Sequence, residues 1–219
     1  MKTSIATVSI SGNFSEKHEA IAADATSSGA TEDSNTIIAT LKNANYGGRV
    51  LAQIVDPAAA AAAHEAGVGA TVTVTLSGEI DPGMYTAMTV QAVVALLSDG
   101  RAQLETMGMA LKARPTAVLQ FENFTIVALS HSVSLFNRAM YYANGCNSRG
   151  FDLVVMKSPH AEFHMYDAWI EKNFNIDASE AMSANLPSLG HTISARPTYP
   201  SDPATKFVPK ATIFQRDTI

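Results

Sequence analysis

The chain has 219 residues, and 47% of them are apolar, enough for one sizeable core. Only 16% are charged, the net charge is −5, and Lys and Arg are scattered singly, which argues against a phosphate-backbone binder, so no nucleic-acid partner is expected. The single cysteine, Cys146, excludes an intramolecular disulfide and a multi-thiolate zinc site, and fits a reducing, cytoplasmic setting.

Thr3 to Ile10 alternates and predicts a short strand. Glu16 to Ala23 predicts a short helix, or a helix running into a weak strand, with Ser15 as its cap. The N-terminus has no continuous apolar h-region, and the longest apolar-rich run, Pro57 to Ala63, is too short to cross a bilayer. No membrane partner is expected.

Asp24 to Asn35, DATSSGATEDSN, is small, polar and Gly-containing, and it precedes a helical pattern. Ile37, Ile38, Leu41 and Ala44 form the apolar face, with Asp33 or Ser34 as the cap. Such a loop at a helix N-terminus can offer backbone N–H groups to an anion or carboxylate; the plainer reading is an ordinary capped loop. Gly47-Gly48 should end the helix. Arg49 to Val55 reads as a buried strand, and Asp56-Pro57 as the cap and first residue of an Ala-rich helix that Gly67 closes. His64 on that helix reads as structural.

From Thr71 the pattern changes. Thr71 to Ile80, Thr86 to Leu97, Arg101 to Leu111 and Thr116 to Leu129 read as strands. Turns at Asp81-Pro82-Gly83, Ser98-Asp99-Gly100 and Glu122-Asn123 separate them. Met107 and Met109 read as core or rim filler. Ser134 to Asn144 predicts a helix with Leu135, Ala139, Met140, Tyr142 and Ala143 at near-helical spacing, closed by Gly145. The fold class is therefore α/β: a mixed sheet with an antiparallel meander over about 71–130, flanked by βα units. The C-terminal tail is irregular and Pro-containing.

The stretch Phe151 to Tyr166, FDLVVMKSPHAEFHMY, concentrates the chemistry. Its apolar run predicts a buried strand, and Pro159 forces a turn. A helix from about Ala161 to Lys172 and a short strand from Asn173 to Asp177 should follow. The tip of a buried strand in an α/β sheet is a favoured site position, and this tip carries Lys157, Ser158 and His160. His160 and His164, four apart, share a helix face and suit a metal pair or an acid/base pair. A solvated helix start is the plain alternative. Glu162, in an H-x-E-x-H step, would point away from both His on a helix, which argues against a self-contained zincin. Ser158 lacks a G-x-S-x-G elbow, which weakens it as a nucleophile.

The loop DATSSGATEDSN, the segment from Gly48 to Gly78, LSDGR (97–101), PTAVLQ (115–120), FDLVVMKSPHAEFHMYDAW (151–169) and NLPSLGHT (185–192) together resemble the C-terminal domain of MlrC-type (microcystinase C) zinc metallopeptidases. The resemblance runs from residue 24 to about 202, leaving 1–23 as an N-terminal extension that weakly resembles the start of a sugar-phosphate isomerase-type barrel, and 203–219 as a tail. It implies a zinc-dependent hydrolase of small peptides or amides. It implies that Asp24, Asp33, Lys157, Ser158 and His160 face the catalytic site. Ser27, Ser28, Gly29, His164 and His191 would face the substrate, and His160 and His164 are the metal candidates. Full family members carry most zinc ligands on a larger N-terminal domain. With only 23 residues before Asp24, the expectation is a chain that needs a missing or separate metal-binding domain and is inactive alone. The alternatives are a self-sufficient metal-dependent hydrolase using Asp24 or Asp33 with His160 and His164, or a non-enzymatic binding or assembly domain. An apolar docking face left exposed would drive homo-oligomerisation.

Overall fold

Strands that read as unbroken apolar runs need cover on both faces, and this sheet supplies it. The structure, a computed structural model, describes residues 20–24, 33–78, 80, 85–105, 108–133, 138–157, 172–176, 193, 195–199, 202–206 and 208–210; for 20–24 and 172–176 only the backbone is described. The chain forms two compact units, Met1–Ala184 and Asn185–Ile219.

In the first unit the elements run β1 (Ala20–Asp24), α1 (Thr36–Asn43), β2 (Val50–Val55), α2 (Pro57–Ala66), β3 (Thr71–Leu76), β4 (Met88–Ser98), β5 (Arg101–Gln103), β6 (Ala110–Lys112), β7 (Thr116–Phe121), β8 (Phe124–Leu129), α3 (Ala139–Ala143), β9 (Leu153–Lys157) and β10 (Lys172–Ile176). Eight strands make one sheet in the order β10-β1-β9-β2-β8-β7-β4-β3. The strands from β10 to β8 are parallel, and β7, β4 and β3 add to them antiparallel. This is the expected mixed α/β sheet.

Alternate residues of the central strands feed two separate cores. Val50, Ala52 and Ile54 of β2, Ile126 and Ala128 of β8 and Val155 of β9 pack with Ile37, Ile38 and Leu41 of α1 and Ala59 and Ala63 of α2. Leu51, Val55, Val127, Leu129, Val154 and Met156 pack on the opposite face with Met140 and Tyr141 of α3 and Leu104 and Leu111 beside the β5–β6 hairpin. Each large side chain so buried stabilises the fold by about 1.5–3 kcal/mol relative to an exposed one.

Several local expectations change. Arg101 to Leu111 is two short strands in a sheet of their own, because the chain turns back at Gly108, whose φ is +63°. Met109 is exposed, so it is no core filler; Met107 lies outside the described residues. Helix α1 ends at Asn43, before Gly47-Gly48, since Asn45 takes the left-handed conformation at φ +51°. Ala44 falls off its buried face. In α3 Tyr141 points inward and Tyr142 outward. The backbone over Ala20–Asp24 is strand, the weaker half of the expectation for that segment. The strand expected at Thr3 to Ile10 and the helix expected at 161–172 lie outside the described residues. Among the described residues no helix is long and apolar enough to cross a membrane.

The described residues of the second unit carry turns and neither helix nor strand. One turn is organised by Asp202, whose carboxylate accepts from the Arg196 guanidinium at 3.0 Å and the Thr198 N–H at 2.7 Å. Those two donors hold its carboxyl below the ordinary range, the backbone bond contributing most.

Candidate functional site

The carboxyl ends of the parallel strands bring the chemistry together, as the doubly wound arrangement favours. Lys157 ends β9 and Asp24 ends β1; the two are direct neighbours in the ladder. Asp24 is also level with Ile176 of β10.

Lys157 is 3% exposed, and its ammonium donates to the carbonyl oxygen of Ser34 at 2.8 Å. That bond ties the end of β9 to the segment entering α1. Asp33, Ser34 and Asn35 are all buried there. Neither Asp33 nor Ser34 is the helix cap. The N-cap position falls on Asn35, whose side chain makes no capping bond. The Ser34 hydroxyl instead accepts weakly from the Thr36 N–H at 3.3 Å, a local turn rather than a cap.

The Asn35 amide reaches across the structure. Its nitrogen donates to Leu76 O at 3.1 Å and Thr86 O at 3.0 Å, clamping the base of the β3–β4 hairpin. One residue beyond Leu76, the Ser77 N–H donates to Asp56 at 3.0 Å. The other Asp56 oxygen caps α2 through Ala59 N–H at 2.9 Å, as the Asp-Pro sequence predicts. Ser77 holds φ +72°, and among the described residues its buried hydroxyl has no hydrogen-bond partner. Lys157, Ser34, Asn35, Leu76, Ser77 and Asp56 thus form a continuous chain of tethers joining β9, α1, the hairpin and β2.

Of the residues anticipated at the site, Lys157 and Asp33 are buried at this end of the sheet, and Asp24 is placed there by its backbone. Ser27, Ser28, Gly29, Ser158, His160, His164 and His191 lie outside the described residues. His64 stays structural, its Nε2 lying 3.2 Å from Thr116 O. Sequence reasoning missed Asn35 and Ser77. Asn directly before a helical run was a usable signal, although it points to a cap and not to a clamp.

Among the described residues no three His, Cys, Asp or Glu side chains converge as a metal-ligand set. Both oxygens of Asp56 are already engaged by backbone N–H groups. Burial pushes the Cys146 thiol up to about 11, so it is neither a thiolate ligand nor a nucleophile at neutral pH. The described part of the site fits positioning and charge, not a ligand cage, and its cation is Lys157.

A family model described as MlrC C-terminus matches residues 22–192. A solved structure of a candidate metallopeptidase from Mesorhizobium sp. BNC1 superposes with a TM-score of 0.75 at 20% sequence identity, covering 88% of this chain and 39% of that one. At that identity the likeness carries the fold, and the chain spans well under half the length of its neighbour. No curated protein matches.

Proposed function

The chain belongs to the MlrC C-terminus family, and from that premise we propose that it forms one wall of the substrate site of a metal-dependent peptidase or amidohydrolase. In this reading the metal is zinc, the substrate is a small peptide or amide, and the compartment is the cytoplasm. Most metal ligands come from a further domain that packs over the carboxyl ends of β1 and β9.

The observation that supports this most is the hydrogen bond from Lys157 to Ser34. It joins, across 123 positions, two of the segments on which the family resemblance rests. Lys157 holds the 33–35 segment at the start of α1 and places a positive charge at the strand ends. A preorganised ammonium there stabilises negative charge that develops on a substrate carbonyl oxygen. The backbone register sets Asp24 level with Lys157, at the same end of the sheet. Ser158 and His160 come one and three positions after Lys157 in the sequence; with His164 they lie outside the described residues, and in this reading the family resemblance assigns them to the substrate and the metal.

Metal content and amide hydrolysis test this. The purified chain should hold less than about one tenth of a zinc per chain, where a complete site binds stoichiometrically. Together with the ligand-bearing domain of the family, it should bind zinc stoichiometrically and hydrolyse amide bonds. Stoichiometric zinc and hydrolysis by the chain alone would replace this reading with a self-sufficient hydrolase. Failure of the combined domains to hydrolyse any peptide or amide would end the hydrolase reading.

A further inference from the structure

We propose that β3 is a self-recognition edge, through which two copies of the chain pair antiparallel about a two-fold axis at Thr73. This stands on the geometry of the sheet and is independent of the hydrolase reading.

Among the described residues β3 is the last strand of the sheet and pairs with β4 alone. The Val94 N–H donates to Ala70 O at 2.9 Å, which fixes the phase of the antiparallel ladder. Residues 72, 74 and 76 therefore bond toward β4, and Thr71, Thr73 and Thr75 turn their N–H and C=O groups outward. Among the described residues nothing bonds to those outward groups.

Edges are normally blunted by charge, Pro or a bulge. From Gly67 to Gly78 the sequence GVGATVTVTLSG has no charged residue and no Pro. β3 pairs with β4 in unbroken register from Thr71 to Leu76. Val68 at 65% and Val93 at 42% exposure flank the strand with apolar surface.

The register centred on Thr73 is the one that pairs all three outward-facing threonines with one another. With Thr73 on the axis, Thr71 lies opposite Thr75 of the second copy, and Val72 opposite its Val74. Every outward-facing N–H and C=O of the three threonines then finds a partner. The exposed Thr side chains meet Thr, and Val meets Val, so both faces of the sheet continue across the junction. A slip by one residue would set Thr against Val on each face. No like charges oppose each other. The contact is isologous and closes at two copies. A six-residue edge buries little area, so the dimer is reversible and grows with concentration.

Light scattering after size exclusion on the full chain should show a monomer–dimer equilibrium. Thr73→Lys should make it monomeric with an unchanged circular dichroism spectrum, since that side chain is exposed. Thr73→Pro should act the same way by clashing at the edge. A short bis-maleimide should link Thr73→Cys into a covalent dimer but leave Ala44→Cys, placed at the end of α1, unlinked. The proposal is overturned by a chain that stays monomeric at all concentrations, as expected if the edge serves a strand of some other protein. A dimer that survives Thr73→Lys and gives no Thr73→Cys cross-link overturns it too.

Discussion

The Lys157 ammonium donates to the carbonyl oxygen of Ser34 at 2.8 Å, inside the protein and across 123 positions of sequence. A buried carbonyl that loses its donor keeps its desolvation cost, and hydrogen bonds from charged donors are the stronger ones. Lys157→Met keeps much of the volume and removes the donor. It should lower unfolding free energy by about 1–3 kcal/mol, read from the urea midpoint at constant slope. An unchanged midpoint would mean that the bond contributes nothing to holding α1.

Asp56 answers two demands with one carboxylate: it caps α2 through Ala59 N–H and anchors the hairpin through Ser77 N–H. Asp56→Ala abolishes both, and should cost about 2–4 kcal/mol, more than a helix cap alone. Asp56→Asn keeps one acceptor and opposes an N–H with its amide nitrogen, so its loss should be intermediate. Equal midpoints for the two variants would show that only one of the two bonds matters.

The parts of this fold that could be read from sequence are those whose causes are local. Burial on both faces makes β2 and β9 continuous apolar runs, and the Asp56-Pro57 start and Gly67 stop of α2 follow from capping chemistry. Lys157 at a strand tip was visible for the same reason. Its partner was not, because nothing near Ser34 in sequence announces a lysine 123 positions away. Asn35 reads as a helix cap, yet it serves carbonyls 41 and 51 positions distant. Leu104 also misled: its apolar side chain continues the run from Arg101, but its N–H closes the β5–β6 hairpin on Met109 O. The five-residue α3 is too short for periodicity to tell Tyr141 from Tyr142.

Cys146 gives the protein a pH signature. Burial pushes its thiol up to about 11 from an ordinary 9.0. The folded state therefore binds the proton more tightly than the unfolded chain. Its contribution is complete below pH 9 and is lost as the pH rises toward 11. Tyr46 is raised as well, by burial first and then by Asp152, and acts in the same direction. Comparing the chain with Cys146→Ala isolates the thiol: the stability difference between them should shrink as the pH rises through that window. A constant difference would show that the thiol ionises normally. The native chain should also react slowly with a thiol reagent at neutral pH until it is unfolded.

Gly100 sits between β4 and β5 at φ +69°, where L side chains are strained. A Cβ built there would lie 2.0 Å from the Arg114 carbonyl oxygen and 2.7 Å from the Thr116 hydroxyl. The backbone oxygen belongs to the strand connection that leads into β7, and the Ala113 N–H donates to Gly100 O at 2.8 Å, so neither side can retreat without breaking that bond. Gly100→Ala should therefore destabilise by about 2–4 kcal/mol, the sum of left-handed strain and a steric clash. Gly67 also has positive φ, +86°, but a Cβ there meets nothing within 4 Å. Gly67→Ala, at φ +86° and ψ 164°, should suffer the conformational strain alone, about 1–3 kcal/mol, and less than Gly100→Ala. Equal losses at the two positions would mean that the Arg114 carbonyl moves aside freely.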